Sequence, residues 1–271
     1  MDARPIGVFD SGLGGLTCVK RLMDVMPGED IIYLGDTGRV PYGGRSRETI
    51  IRYARQDIAF LRSFDIKAVV AACGTVSTNG LEEIAGDYPI PVFGVADAAA
   101  RAAAKATKNG RIGLIGTRAS IRSRAYDEKI LKLLPSARIF KKACPLFVPL
   151  VEEGRVGEDD RVLRLVAEGY LTPLRDAGVD TLILGCTHYP LIAGTVAAVM
   201  GPDVRLIDTG AETAEMLRRT LAGSDALSDR ARGRCCYYVT DSAEDFGRAA
   251  SLFLDSHVEG DVRRVTLEEK I

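Results

Sequence analysis

The chain of 271 residues contains no tryptophan, only two histidines and no excess of either charge: 36 basic against 37 acidic side chains leave a net charge of -1 with histidine neutral. That balance excludes a chain-wide cationic field, so neither nucleic acid nor an anionic membrane is expected as a partner. The longest apolar run, near Ala68 to Cys73, is far shorter than the roughly 18 residues a membrane span requires. Met1-Asp2-Ala3-Arg4-Pro5 lacks the basic start, apolar stretch and cleavage site of a secretory signal, and a cytoplasmic location with reduced thiols is expected. No C-x-x-C occurs and the histidines show no ligand spacing, so no metal site is expected. No Pro, Gly and Ser-rich linker and no low-complexity tract divides the chain. With 46% hydrophobic residues it excludes collagen-like, disordered and disulfide-scaffold classes, and its length allows one large domain or two small ones. Against this background stand six cysteines, each of which needs a role as core filler, ligand or nucleophile.

Short apolar runs alternate with longer helix-like stretches, which predicts an α/β fold with mainly parallel strands. The strand candidates are Ile6–Phe9, Ile31–Leu34, Ala68–Ala72, Val92–Val95, Ile112–Ile115, Arg138–Lys141, Thr181–Leu184, Arg205–Ile207 and Cys235–Val239. Most are apolar throughout, so both faces should be covered by helices. Helices are predicted over Leu13–Met26, Arg47–Phe64, Asp97–Thr107, Ala119–Leu134, Glu158–Ala177, Ile192–Met200, Ala211–Leu221 and Ala243–Asp255, several of them after capping residues such as Ser46 and Ser242. Two segments echo each other. Lys67-Ala-Val-Val-Ala-Ala-Cys73-Gly-Thr75 and Asp180-Thr-Leu-Ile-Leu-Gly-Cys186-Thr-His188 each place a cysteine just past a buried strand, as two similar lobes would. Ligands of open α/β sheets bind outside the carboxyl ends of the strands.

Four strand-end loops are candidates for chemistry. Asp10-Ser11-Gly12-Leu13-Gly14-Gly15 is a glycine-rich turn into a helix, but Thr17 stands where a dinucleotide fingerprint needs glycine and no P-loop lysine follows. It suits a carboxylate-sized anion, or is a tight turn with Asp10 as a cap. The loop containing Pro41, Tyr42 and Gly43 is a shaped turn whose phenol can hydrogen-bond a ligand. Cys73 and Cys186 occupy the other two loops, where helix N-termini should lower a thiol pKa; His188 can hold or relay a proton near Cys186. Cys18, Cys144, Cys235 and Cys236 read as filler, and His257 as a surface residue. One cysteine beside a histidine suggests an acyl-transfer nucleophile. Two in matching loops suggest acid/base groups approaching one carbon from opposite faces, the geometry that inverts a stereocentre, with Thr75 and Thr187 among the groups that stabilise developing charge.

These residues carry a family resemblance. Val8-Phe9-Asp10-Ser11-Gly12-Leu13-Gly14-Gly15, Gly35-Asp36-Thr37 with Pro41-Tyr42-Gly43, Ala72-Cys73-Gly74-Thr75, Leu184-Gly185-Cys186-Thr187-His188-Tyr189-Pro190 and Ile207-Asp208-Thr209-Gly210 resemble, in order, the signatures of glutamate racemases. The resemblance implies a racemase needing no cofactor that makes D-glutamate for peptidoglycan and so serves cell-wall biogenesis and cell shape, and that is often a homodimer. It implies two lobes, residues 1–97 plus 209–271 and residues 98–208, with the active site between them. Cys73 and Cys186 would be the acid/base pair, assisted by Asp10, His188 and Glu152. Ser11, Pro41, Tyr42, Gly43, Gly74, Thr75, Thr117 and Thr187, with Asp10 and His188, would hold the substrate.

The chain departs from the family at one site residue: its usual Cys-Asn-Thr is Cys73-Gly74-Thr75 here. The missing amide implies a weakened hydrogen bond to the substrate, and Gly74→Asn is therefore expected to tighten binding or raise the rate. Two alternatives stay open at this point: a racemase of a related acidic amino acid such as aspartate, and a binding or regulatory relative with impaired catalysis.

Overall fold

The structure is a computed structural model that describes residues 1–254 and 262–267; His257 lies outside the described residues. Among the described residues, ten strands form two sheets. Strands β1 (Ile6–Asp10), β2 (Ile31–Gly35), β3 (Ala68–Ala71) and β4 (Val92–Gly94) are followed by β5 (Arg111–Gly116), β6 (Arg138–Ala143), β7 (Thr181–Gly185) and β8 (Arg205–Asp208). Then come β9 (Cys235–Val239) and β10 (Val262–Arg264). The first sheet has the order β10-β9-β2-β1-β3-β4 and the second β6-β5-β7-β8. Every pairing is parallel. The chain passes from the first sheet to the second through the helix Val95–Ala106 and returns through Thr209–Gly223; these two helices pack on each other, and the second also packs on Leu16–Val25.

The central strands β1, β2, β3 and β7 are buried at every residue, as their largely apolar sequences require. Side chains of β1 alternate between two cores: Ile6 and Val8 join a cluster that continues through Leu16, Val19, Leu217 and Leu184 into the second sheet, while Phe9 faces Ile50, Ile58 and Leu61 of the helix Arg47–Leu61. Each sheet ends its strands in step. Asp10 pairs with Gly35, Phe9 with Ala71, and Gly116 with Gly185, so the loops that follow emerge together.

Several predicted boundaries shift for local reasons. Arg124 adopts a left-handed backbone (φ 61°) and divides the expected helix over 119–134 into Arg118–Arg122 and Ala125–Leu133. Asp160 and Asp208 cap their helices through backbone N–H groups, setting starts at Arg161 and Thr209 instead of Glu158 and Ala211. The segment expected as one helix from Ile192 begins as a 3-10 turn, Tyr189–Ile192, before Ala193–Met200. The helix start expected after Cys73 is the short Gly74–Thr78, while Leu81–Ala85, Phe147–Glu152 and strand β10 were not expected, because segments of three to six residues are too short to establish a period.

A buried ion pair closes the first sheet opposite its loop edge. Lys67 Nζ lies 2.5 Å from Glu29 Oε2, with both side chains almost fully buried, and donates to the carbonyls of Asp2 (2.7 Å) and Ala226 (2.8 Å). Glu29 Oε1 accepts from the Ser228 N–H at 2.9 Å, so the pair ties the N-terminal segment to the chain returning from the second sheet. Removing one partner strands the other as a buried charge. Lys67→Met should cost about 3–5 kcal/mol in urea unfolding, and adding Glu29→Gln should recover much of the loss; a cost below about 1 kcal/mol would show that the pair does not hold this junction.

Candidate active site

The loops at the strand ends of both sheets enclose a cavity of about 610 Å³, a size suited to a small molecule. Ser11, Pro41, Tyr42, Gly43, Cys73, Gly74, Thr75, Thr117, Glu152, Cys186, Thr187 and His188 all line it, so the structure brings together nearly every residue expected at the site. Asp10 stands behind this wall, 1% exposed at the end of β1.

Cys73 precedes the first turn of Gly74–Thr78 and Cys186 directly follows β7; both are buried. Cys73 Sγ donates to Ser11 Oγ at 3.5 Å. Burial pushes its thiol up to about 12, with the Asp10 charge adding to the shift and bonds from Ser11 and the Val76 N–H opposing it. The expected lowering by the helix end is therefore overturned at Cys73: desolvation outweighs the hydrogen bonds with Ser11 and the Val76 N–H, and the thiol is protonated at neutral pH.

The second thiol has different company. Cys186 Sγ lies 3.9 Å from His188 Nδ1, and His188 Nε2 donates to Glu152 Oε1 at 3.0 Å. Burial alone would lower the imidazole pKa; the bonds to the Cys186 sulfur and the Glu152 carboxylate prevail and raise it to about 10. The ring is thus cationic at neutral pH and stands edge-on to Phe253, with centroids 5.4 Å apart. Glu152 reaches it from Phe147–Glu152, one of the short helices that periodicity could not reveal.

Asp10 Oδ2 accepts the Gly12 N–H at 3.0 Å, so part of the glycine loop caps the chain's own carboxylate, one of the two readings its sequence allowed. Gly15 is needed for that packing, since a Cβ there would lie 2.5 Å from the Asp10 Cβ. Burial raises the Asp10 pKa against the opposing charge of His188 and the loop amides.

Tyr42 requires a correction. Its ring lines the cavity, but its hydroxyl, expected to meet a ligand, donates to Asp36 Oδ2 and lies 3.1 Å from Asp57 Oδ2. Both carboxylates are fully buried, and Arg39 pairs with them at 2.6 and 3.0 Å. Burial and the Asp36 charge raise the Asp57 pKa. A phenol offers a single proton, so this one is spent on fixing the loop.

Three wall residues with a thiol or guanidinium were not expected at the site. Cys144 immediately follows β6, the same strand-end position as Cys186, but the strand was expected to stop at Lys141. Burial pushes its thiol up to about 12. Arg118 and Arg122, one turn apart on the helix after Thr117, are exposed at the cavity wall; a short helix without apolar periodicity carried no signal for them. Hydrogen bonds close the floor between the sheets: Thr17 Oγ1 donates to the Thr187 carbonyl at 2.9 Å, and Thr75 and Thr117 hydroxyls meet at 3.1 Å. Gly74 lies against the Gly185 carbonyl, where a Cβ on residue 74 would come within 2.5 Å of the oxygen.

A two-lobed parallel α/β fold whose cleft receives one thiol from each lobe defines an isomerase of the racemase class. The chain belongs to the Asp/Glu/Hydantoin racemase family, whose sequence profile matches residues 17–217. It is 45% identical to the glutamate racemase of Geobacter metallireducens over 99% of this chain and 98% of that protein, and 44% identical to that of Syntrophus aciditrophicus over 98% of each. Among solved structures, a glutamate racemase isoform of Bacillus anthracis superimposes with a TM-score of 0.93 at 36% identity, covering 98% of this chain and 99% of that one. The Francisella tularensis glutamate racemase in complex with D-glutamate gives 0.91 at 38% identity over 99% of both chains. The expected fold and the resemblance to glutamate racemases are borne out. An aspartate racemase from Picrophilus torridus, at 19% identity and a TM-score of 0.58, shares the fold alone.

The raised Asp10 pKa has a sign that can be tested. The folded state holds this carboxyl above its unfolded value of about 3.9, so the contribution of Asp10 to stability is present below that value and lost as pH rises through the folded one. Asp10→Asn keeps an acceptor for the Gly12 N–H without the charge. Urea unfolding should find it more stable than the parent at pH 7 by about 0.5–2 kcal/mol, with the gain shrinking toward pH 4.

Proposed function

We propose that the protein interconverts L- and D-glutamate without a cofactor, with Cys73 and Cys186 as acid/base groups on opposite faces of the substrate Cα, and that it supplies D-glutamate for peptidoglycan in the cytoplasm. The observation that carries this reading is the convergence of the two strand-end thiols, each with its own proton-handling neighbours, on one cavity. Residues 1–97 with 209–271 and residues 98–208 are read as the two lobes that bring them there.

One thiolate takes the Cα proton, and the electron pair of that C–H bond moves toward the substrate carboxylate. The facing thiol then gives its proton to the other face of Cα, which inverts the centre and leaves the two sulfurs with exchanged protonation states. Cys73, held protonated by burial, enters as the donor. Cys186 enters as the base, with the cationic His188 imidazole, backed by Glu152, beside its sulfur. Backbone amides and the hydroxyls of Thr75, Thr117 and Thr187 at the cavity wall stabilise the negative charge developing on the carboxylate. Arg118 and Arg122 lend the mouth a positive field that suits a substrate with two carboxylates. Glutamate is favoured over aspartate by the full-length similarity to glutamate racemases.

The test is polarimetric racemisation in both directions combined with Cα deuterium incorporation in D2O, for glutamate and aspartate enantiomers. The parent should racemise glutamate. Cys73→Ala and Cys186→Ala should each lower kcat by at least 10³-fold, the order of removing a reacting group, with little change in melting temperature. Parent-like racemisation by either variant would sink the two-thiol mechanism, and parent activity on aspartate alone would reassign the substrate.

A further inference from the structure

The residues flanking the two thiols meet main chain to main chain. Gly74 follows Cys73 and Gly185 precedes Cys186; a Cβ built on Gly74 would lie 2.5 Å from the Gly185 carbonyl oxygen, 3.4 Å from its carbon and 3.9 Å from the Cys186 Cα. Ordinary contact for such an atom begins near 3.4 Å, so the approach is about 0.9 Å too close for any side chain. A flexible side chain would swing aside, but the obstacle is backbone, and Gly185 is itself pinned: a Cβ on it would lie 2.6 Å from the Ile115 carbonyl oxygen. Each thiol's loop is tied across the cleft by a second bond: Thr187 beside Cys186 accepts from Thr17 of the helix Leu16–Val25, and Thr75 beside Cys73 meets the Thr117 hydroxyl after β5. Gly74 has an ordinary backbone rather than a left-handed one, so its value here lies in the missing Cβ and not in conformational freedom.

We propose that Gly74 is a positioning residue that sets the separation of Cys73 and Cys186 by letting their loops close to backbone contact. The proposal rests on the two-thiol reading above. It also reverses the expectation drawn from sequence: in this chain an Asn at position 74 does not restore a missing amide but wedges the two loops apart. Displacing a reacting group by about 1 Å costs on the order of 100-fold in rate. With the thiols held further apart, the one that abstracts the proton still reaches Cα, while the facing one arrives late. The abstracted position then exchanges with solvent and is reprotonated on its original face more often than it inverts.

Gly74→Ala and Gly74→Asn in the full chain test this, with racemisation and Cα deuterium exchange measured on the same samples and melting curves recorded alongside. Both variants should lose about 10- to 100-fold in kcat, with smaller changes in KM, and both should raise the ratio of exchange without inversion to racemisation. Thr17→Val, which leaves position 74 empty but removes the bond to the Thr187 carbonyl, should raise that ratio to a lesser degree and keeps the test open if a Gly74 variant does not fold. A Gly74→Asn protein that racemises as fast as the parent or faster overturns the proposal in favour of the missing amide. Parent-like rate and ratio in Gly74→Ala, or an unchanged ratio in Thr17→Val, overturns it too. If the parent neither racemises nor exchanges glutamate, it is the function that fails and not the role of Gly74 alone.

Discussion

A parallel strand cannot be joined to its neighbour by a tight turn; the chain must cross back over a face of the sheet before starting the next strand. Two consequences organise this molecule. The crossings bury both faces, so the central strands are buried at every position and largely apolar, and all strands of a sheet deliver their following loops to one edge. Two such edges facing each other make a cleft whose walls are loops and helix starts, while the opposite edges are left for structural work such as the Lys67–Glu29 pair. The site is therefore a product of topology before it is a product of particular side chains.

Within that cleft the two thiols are set apart by their neighbours. Cys73 sits near a buried carboxylate and a hydroxyl, and Cys186 near a cationic imidazole backed by Glu152. The proposed inversion needs one group to give a proton and another to take one, and unlike surroundings are one way to make two like side chains differ. The Tyr42 cluster serves the same end by other means. Its buried carboxylates and Arg39 tie down the loop that carries Pro41 and Gly43, with the phenol proton committed to Asp36.

What was readable in the sequence follows from the length scale of each feature. Strands β1, β3 and β7 announced themselves as apolar runs, and their ends located Cys73 and Cys186. Cys144 obeyed the same rule but was hidden by a strand boundary placed two residues short of Ala143. Glu152 and its helix had no periodic signal, and the resemblance to a family, not the pattern, singled it out. The commitment of the Tyr42 hydroxyl depends on Asp57, 15 residues away on another element. The contact of Gly74 with Gly185 joins segments of different lobes, and an absent side chain leaves no trace in any local pattern. Burial was the other blind spot: proximity to a helix start pointed to a low thiol pKa at Cys73, and the desolvation that reversed it belongs to the assembled fold.

All six cysteines are unpaired, yet they are unequally exposed to chemical attack. Peroxides and alkylating agents react with thiolates that solvent can reach. Cys18, Cys73, Cys144 and Cys186 are buried and Cys235 is half-buried, whereas Cys236 is exposed on β9, away from the cavity wall. Oxidative damage should thus fall first on Cys236, a residue whose modification leaves the cleft intact. The three thiols at the cleft, all of them buried, are in this way less accessible to such reagents than the one on the far strand.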